Sequence, residues 1–233
     1  KAPACAYPHA DRLAQAGILN LIVSMKKLFL TSNGLMTPKL KERFLEFVGK
    51  NPKDIKVLFV PTASQRNKDK DYLEMKAAYF KHCEEEMMGM GIKKENLFWL
   101  DINNISAAGD LNSYDVMYMC GGNTFYLLHE VKRTGFDKQI INFINSGKVY
   151  IGVSAGSILV GPDISIAGPF DLNDIGLKNP TGLGVTDKII CPHYQKVEEK
   201  VVVGVEEKGN YRVVRLRDDQ SLEEVDGISK IIE

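Results

Sequence analysis

The chain has 233 residues, 44% of them apolar and 26% charged, with 30 basic side chains against 30 acidic ones. That length and mixture belong to an ordinary globular protein with enough apolar surface for one substantial core. The balanced charge argues against nucleic acid or an anionic membrane as a partner, and no apolar run approaches the length of a membrane span.

The first 24 residues stand apart. Residues 1–24 hold only a short apolar run, Gly17 to Val23, without the basic start and long apolar centre of a signal peptide. Met25-Lys26-Lys27 reads as a natural start, so residues 1–24 are taken as an N-terminal extension or cloning remnant and 25–233 as a single domain. The four cysteines, Cys5, Cys83, Cys120 and Cys191, are scattered without C-x-x-C spacing. They read as free thiols of a cytoplasmic protein.

In chain order, Lys27 to Ser32 predicts a buried strand broken by Asn33-Gly34. Thr37-Pro38 then supplies an N-cap with proline at the first helical position, and Leu40, Phe44, Leu45, Phe47 and Val48 mark the inner face of a helix. Ile55 to Val60 is a second strand, residues 69–90 a long helix, Leu97 to Asp101 a third strand, and Tyr114 to Cys120 a fourth. That fourth strand runs straight into Gly121-Gly122-Asn123-Thr124. Helical patterns over 124–133 and 136–146 precede a strand beginning at Lys148. Short apolar strands alternating with amphipathic helices mean a mainly parallel sheet covered on both faces. Gly161 to Gly184 is a long Gly-, Pro-, Asp- and Asn-rich loop of the kind that serves a site. Strands are expected again at Thr186–Cys191 and Tyr211–Leu216, residues 195–208 are ambiguous between strand and helix, and Leu222 to Ile232 forms a β-hairpin over Asp226-Gly227.

The chemistry centres on Gly152-Val153-Ser154-Ala155-Gly156. A G-x-S-x-G pattern between a strand and a helix is the context of a nucleophile elbow, a turn tight enough to hold a serine hydroxyl above the sheet. A base must take the proton from that hydroxyl, and histidine is suited to it. Of the four histidines, His9 lies in the leader, while His82 and His129 sit inside helices. His193 follows a strand end directly and shares the rim with Ser154. A carboxylate should fix the imidazole tautomer. Asp218 leads, and Asp219, Asp171 and Asp174 remain open as alternatives. The Ala155 N–H, with that of Gly121 or Gly122, would form the oxyanion hole, and Asn123 is a candidate substrate contact. Cys191 and His193 offer too few ligands for zinc, and no metal or other cofactor is expected.

Cys120-Gly-Gly-Asn-Thr-Phe-Tyr-Leu-Leu128, Tyr150-Ile-Gly-Val-Ser-Ala-Gly156 and Pro192-His-Tyr194 together resemble the peptidase E family, the S51 serine peptidases that include aspartyl dipeptidases and cyanophycinases. The resemblance spans Met25 to Glu233. It implies a three-layer αβα sandwich similar to class I glutamine amidotransferase (flavodoxin-like) domains, with a serine elbow in place of a cysteine elbow. It also implies Ser154 as nucleophile, His193 as base and an acid on a late strand end, where Asp218 stands. An earlier position for the acid falls at Pro169, Phe170 and Asp171, where the match is poor. One departure concerns substrate. Aspartyl dipeptidases are similar in an arginine-bearing stretch after the histidine, whereas Gln195 to Lys200 has none and Lys196 and Lys200 read as a solvated face. The expected activity is therefore a cytoplasmic serine hydrolase of dipeptidase or omega-peptidase type, acting on a short peptide or isopeptide, with a homodimer left open. An esterase or amidase on a non-peptide substrate, and a non-catalytic ligand-binding member of the fold, are the competing readings.

Overall fold

The computed structural model describes residues 25–66 and 70–233, so the reading of residues 1–24 as an extension or remnant lies outside the described residues. In chain order the main elements are β1 (Lys27–Thr31), α1 (Pro38–Val48), β2 (Val57–Val60), α2 (Lys70–Gly89), β3 (Leu97–Trp99), β4 (Val116–Met119), α3 (Thr124–Thr134) and α4 (Phe136–Asn145). They continue with β5 (Val149–Val153), α5 (Ala155–Leu159), β6 (Lys188–Cys191), α6 (Glu199–Gly209), β7 (Arg212–Arg215), β8 (Ser221–Val225) and β9 (Ile228–Ile232).

Seven strands form one sheet in the order β3-β2-β4-β5-β1-β8-β9. The first five run parallel, and β8 and β9 close the edge antiparallel. Strand alternation sorts the apolar residues into two cores. Leu28, Leu30, Leu58, Val60, Met117, Met119 and Tyr150 face α3, α4, α5 and α6. Phe29, Val57, Phe59, Val116, Tyr118, Ile151 and Val153 face α1 and α2. Because both faces are buried, the parallel strands read as continuous apolar runs, and the result is the expected three-layer α/β arrangement. The C-terminal hairpin turns at Asp226 and Gly227, with φ of 48° and 84°, as a two-residue turn with both residues left-handed requires.

A separate parallel pair, β6 with β7, lies off the main sheet. Its strand ends are tied together by Leu216 N–H donating to Cys191 O (2.9 Å) and Tyr194 N–H donating to Leu216 O (3.0 Å), which brings the segments after β6 and β7 side by side. The ambiguous stretch 195–208 resolves as helix α6. The triplet Val201-Val202-Val203 favours strand locally, but only Val202 is fully buried, the pattern of one helical face. The turn before it is fixed by Gln195 N–H donating to Glu198 Oε2 at 2.7 Å, and left-handed Asn210 (φ 51°) ends it.

Candidate active site

Three adjacent strands deliver the site. β4, β5 and β1 are neighbours in the sheet, and at their carboxyl ends stand Gly121-Gly122, Ser154 and Ser32. Such a crevice is where open parallel sheets place ligands. Ser154 links β5 directly to α5 with φ 49° and ψ −109°, a strained conformation for a residue with a Cβ. Its N–H is held by Thr31 O at 3.1 Å, and the Ser157 N–H folds back onto Ser154 O at 2.8 Å, so the turn is clamped from both sides.

The glycine two residues on has a steric reason. A Cβ on Gly156 would lie 2.4 Å from Met119 O and 2.9 Å from Met119 Cβ, so only glycine lets α5 settle onto the end of β4. Gly156→Ala is expected to lower stability by roughly 2–3 kcal/mol, typical of overpacking against atoms that cannot yield, and to lower Tm by about 5–10 °C. Thermal unfolding followed by circular dichroism checks this; an unchanged Tm would contradict the close approach.

Across the crevice His193 also has positive φ (56°), which turns its ring toward the elbow. His193 Nε2 lies 3.1 Å from Ser154 Oγ, and Nδ1 lies 2.6 Å from Asp218 Oδ1. A residue absent from the sequence reading completes the group. Ser32 is fully buried at the end of β1; its Oγ donates to Asp218 Oδ1 at 2.9 Å and accepts the His193 N–H at 2.6 Å. One hydroxyl thus fixes both the histidine backbone and the carboxylate beside the ring.

The other acids considered from sequence are held by other partners. Asp219 pairs with Arg217 at 3.3 Å. Asp171 Oδ2 accepts the N–H of Thr124, the first residue of α3, at 2.8 Å. Asp174 forms an ion pair with Arg66. His82 and His129 are exposed on their helices, away from this crevice. Asn123 lines the cavity beside Ser154, but both ends of its side chain are committed: Oδ1 caps Tyr126 N–H (2.8 Å) and Nδ2 donates to Leu172 O (2.9 Å).

The glycine pair divides. Gly122 has φ 140° and packs so closely on the Ala63 backbone that a Cβ there would sit 2.4 Å from Ala63 O. It lines the cavity, whereas Gly121 does not; the Gly121 carbonyl accepts Ser64 Oγ at 2.6 Å. Cys191 also reaches the cavity, but burial pushes its thiol up to about 11, which keeps it protonated at neutral pH. No cluster of three or more His, Cys, Asp or Glu suited to a metal occurs among the described residues. No described helix is long and apolar enough to cross a membrane.

The cavity has a volume of about 620 Å³. Its outer wall is the loop between α5 and β6, from which Ile166, Ala167, Phe170, Asp171 and Leu172 contribute. The loop is anchored by the Asp171 and Asn123 contacts at the start of α3 and by backbone pairing of Ile164 N–H to Pro180 O at 2.9 Å. Arg66 joins it from the segment after β2. A cation expected only downstream of the histidine is thus supplied by an arginine upstream of the nucleophile.

Fold and crevice together define an α/β protein with serine, imidazole and carboxylate in line at the rim of a parallel sheet. The chain belongs to peptidase family S51, whose model matches residues 28–232. It is 32% identical over 209 residues to the uncharacterized peptidase Lin0382 of Listeria innocua, an alignment covering 84% of this chain and 95% of that one. Peptidase E of Streptomyces coelicolor is 31% identical over 126 residues, covering 51% of this chain and 48% of the relative. A crystal structure described as a candidate peptidase E from Listeria monocytogenes superposes with a TM-score of 0.71 at 28% identity, covering 90% of this chain and 98% of that chain. A peptidase from an acI-B1 actinobacterium shares the fold, with a TM-score of 0.64 at 15% identity.

Proposed function

We propose that the chain is a serine peptidase that cleaves a short peptide or isopeptide, in the manner of a dipeptidase or omega-peptidase, through an acyl-enzyme on Ser154. The observation that carries this reading is the line of contacts from Ser154 Oγ to His193 Nε2 (3.1 Å) and from His193 Nδ1 to Asp218 Oδ1 (2.6 Å). Both distances suit proton transfer and tautomer control.

Each step follows from an atom in place. Ser154 Oγ attacks the scissile carbonyl carbon as its proton passes to His193 Nε2, and Asp218 stabilises the imidazolium that forms. The carbonyl oxygen takes up the negative charge between the N–H groups of Gly122 and Ala155. Neither N–H has a backbone acceptor among the described residues, so both are free to donate. The tetrahedral intermediate collapses, the C–N bond breaks, and His193 gives its proton to the departing amine. Water, deprotonated by the same ring, then attacks the acyl ester and regenerates the Ser154 hydroxyl.

A fluorophosphonate probe tests the nucleophile directly, because it reacts with a serine only where a base activates it. One adduct per chain is expected, located on the peptide containing Ser154 and missing from Ser154→Ala. Equal labelling of that variant would remove Ser154 from the mechanism.

A further inference from the structure

Two features of the cavity would ordinarily attract an anion, and both are already occupied by carboxylates of the chain itself. The first is the N-terminus of α3, where backbone N–H groups and the helix dipole favour negative charge. There Thr124 N–H donates to Asp171 Oδ2 at 2.8 Å, and Tyr126 N–H donates to Asn123 Oδ1 at 2.8 Å. The second is the Arg66 guanidinium, which is paired with Asp174. Asp171 and Asp174 belong to the same loop, so one segment neutralises both.

What remains is acidic and apolar. Glu198 also lines the cavity, and like Asp171 it has one oxygen held by a backbone N–H, here that of Gln195 at 2.7 Å. The second oxygen of each carboxylate has no protein donor among the hydrogen bonds of the described residues. Thr124 adds a polar atom that wants a partner: the residue is 1% exposed, borders the cavity, and its Oγ1 is buried without a hydrogen bond. Around these groups Ile158, Ile166, Ala167 and Phe170 form an apolar wall.

We propose, building on the Ser154 peptidase reading, that this site takes the free amino end of a short peptide whose first residue is apolar, and discriminates against aspartyl and glutamyl residues there. An ammonium group supplies the donors that Asp171 and Thr124 Oγ1 lack, with Glu198 adding to the negative field, while an aliphatic side chain fills the apolar wall. An acidic side chain finds the reverse. It must displace Asp171 from α3 or Asp174 from Arg66, or lie unpaired beside two carboxylates, and an unpaired buried charge is costly. The chain is thereby an aminopeptidase or dipeptidase for apolar N-terminal residues.

The test holds the leaving group constant and varies the acyl residue: Leu-Ala, N-acetyl-Leu-Ala and Asp-Ala, with released alanine quantified by chromatography. The expected kcat/KM for Leu-Ala exceeds that for each of the other two by about 100-fold, the size of effect that follows loss or misplacement of a desolvated charge pair. Asp174→Asn, on the exposed side of the Arg66 pair, releases the guanidinium and raises the Asp-Ala rate by about 10-fold relative to Leu-Ala. Asp-Ala or the acetylated peptide cleaved as fast as Leu-Ala would overturn the proposal. So would failure to cleave any of the three while the fluorophosphonate still labels Ser154, an outcome that spares the catalytic reading. Absence of labelling would defeat both.

Discussion

Ser154→Ala is expected to lower kcat by about 10⁶ on the best dipeptide substrate, with His193→Ala nearly as damaging and the double variant no worse than either alone. The reason is that hydroxyl and imidazole act as one unit. With Ser154 Oγ only 3.1 Å from His193 Nε2, the oxygen is a competent nucleophile only while that nitrogen can accept its proton. Removing either partner therefore removes the same step. What survives is binding in the cavity and polarisation of the carbonyl by the Gly122 and Ala155 amides, which sustains a residual rate of about 10³–10⁴ over water. Steady-state kinetics on the three variants, with thermal unfolding as a control for folding, decides the matter. Losses that multiply in the double variant would mean that the two side chains work independently and that the contact between them is incidental.

How much of this could be read in advance depended on whether the signal was local. Ser154 was legible because strand, G-x-S-x-G and helix follow one another along the chain, and Gly156 carries its own packing reason against Met119. The hairpin at Asp226-Gly227 was legible for the same reason, since two residues able to adopt positive φ sit between strand patterns. His193 and Asp218 could be placed on the rim as residues after strand ends, but nothing local chose Asp218 over Asp219, Asp171 or Asp174. In the structure it is Asp218 whose Oδ1 lies 2.6 Å from the His193 ring, on a segment that backbone ties between the ends of β6 and β7 bring alongside. Ser32 and Arg66 were out of reach. Ser32 looks like any polar residue ending a strand; β1 lying beside β5 puts it next to Ser154, and the segment after β6 brings His193 onto it. Arg66 meets Asp174 across 108 positions through the fold of a loop without periodicity. Val201 to Val203 left 195–208 open between strand and helix, because β-branched residues favour a strand until one of them is needed as the buried side of a helix.

Asp218→Asn is expected to lower kcat by about 10⁴ with little change in KM. The carboxylate accepts from His193 Nδ1 at 2.6 Å, which leaves Nε2 unprotonated and able to receive the Ser154 proton. An amide in its place can put its NH₂ group where Oδ1 stands, donating to Nδ1 and to the Ser32 oxygen, which meets the same atom. Nδ1 then becomes the acceptor, the ring proton moves to Nε2, and the base faces the nucleophile already protonated. Ser32→Ala acts on the same ring from behind. It removes the 2.9 Å donor to Asp218 and leaves the His193 N–H without its 2.6 Å acceptor, so kcat falls by about 10–100-fold, the order expected for losing a hydrogen bond to a charged group, about 1.5–3 kcal/mol. Because both changes work by misplacing one imidazole, their effects should not add: Ser32→Ala introduced into Asp218→Asn should cost less than threefold further. Kinetics for the two single variants and the double close the cycle. If Asp218→Asn keeps more than a tenth of wild-type kcat, or if the two losses multiply, orientation of His193 through Ser32 and Asp218 is not what sustains the reaction.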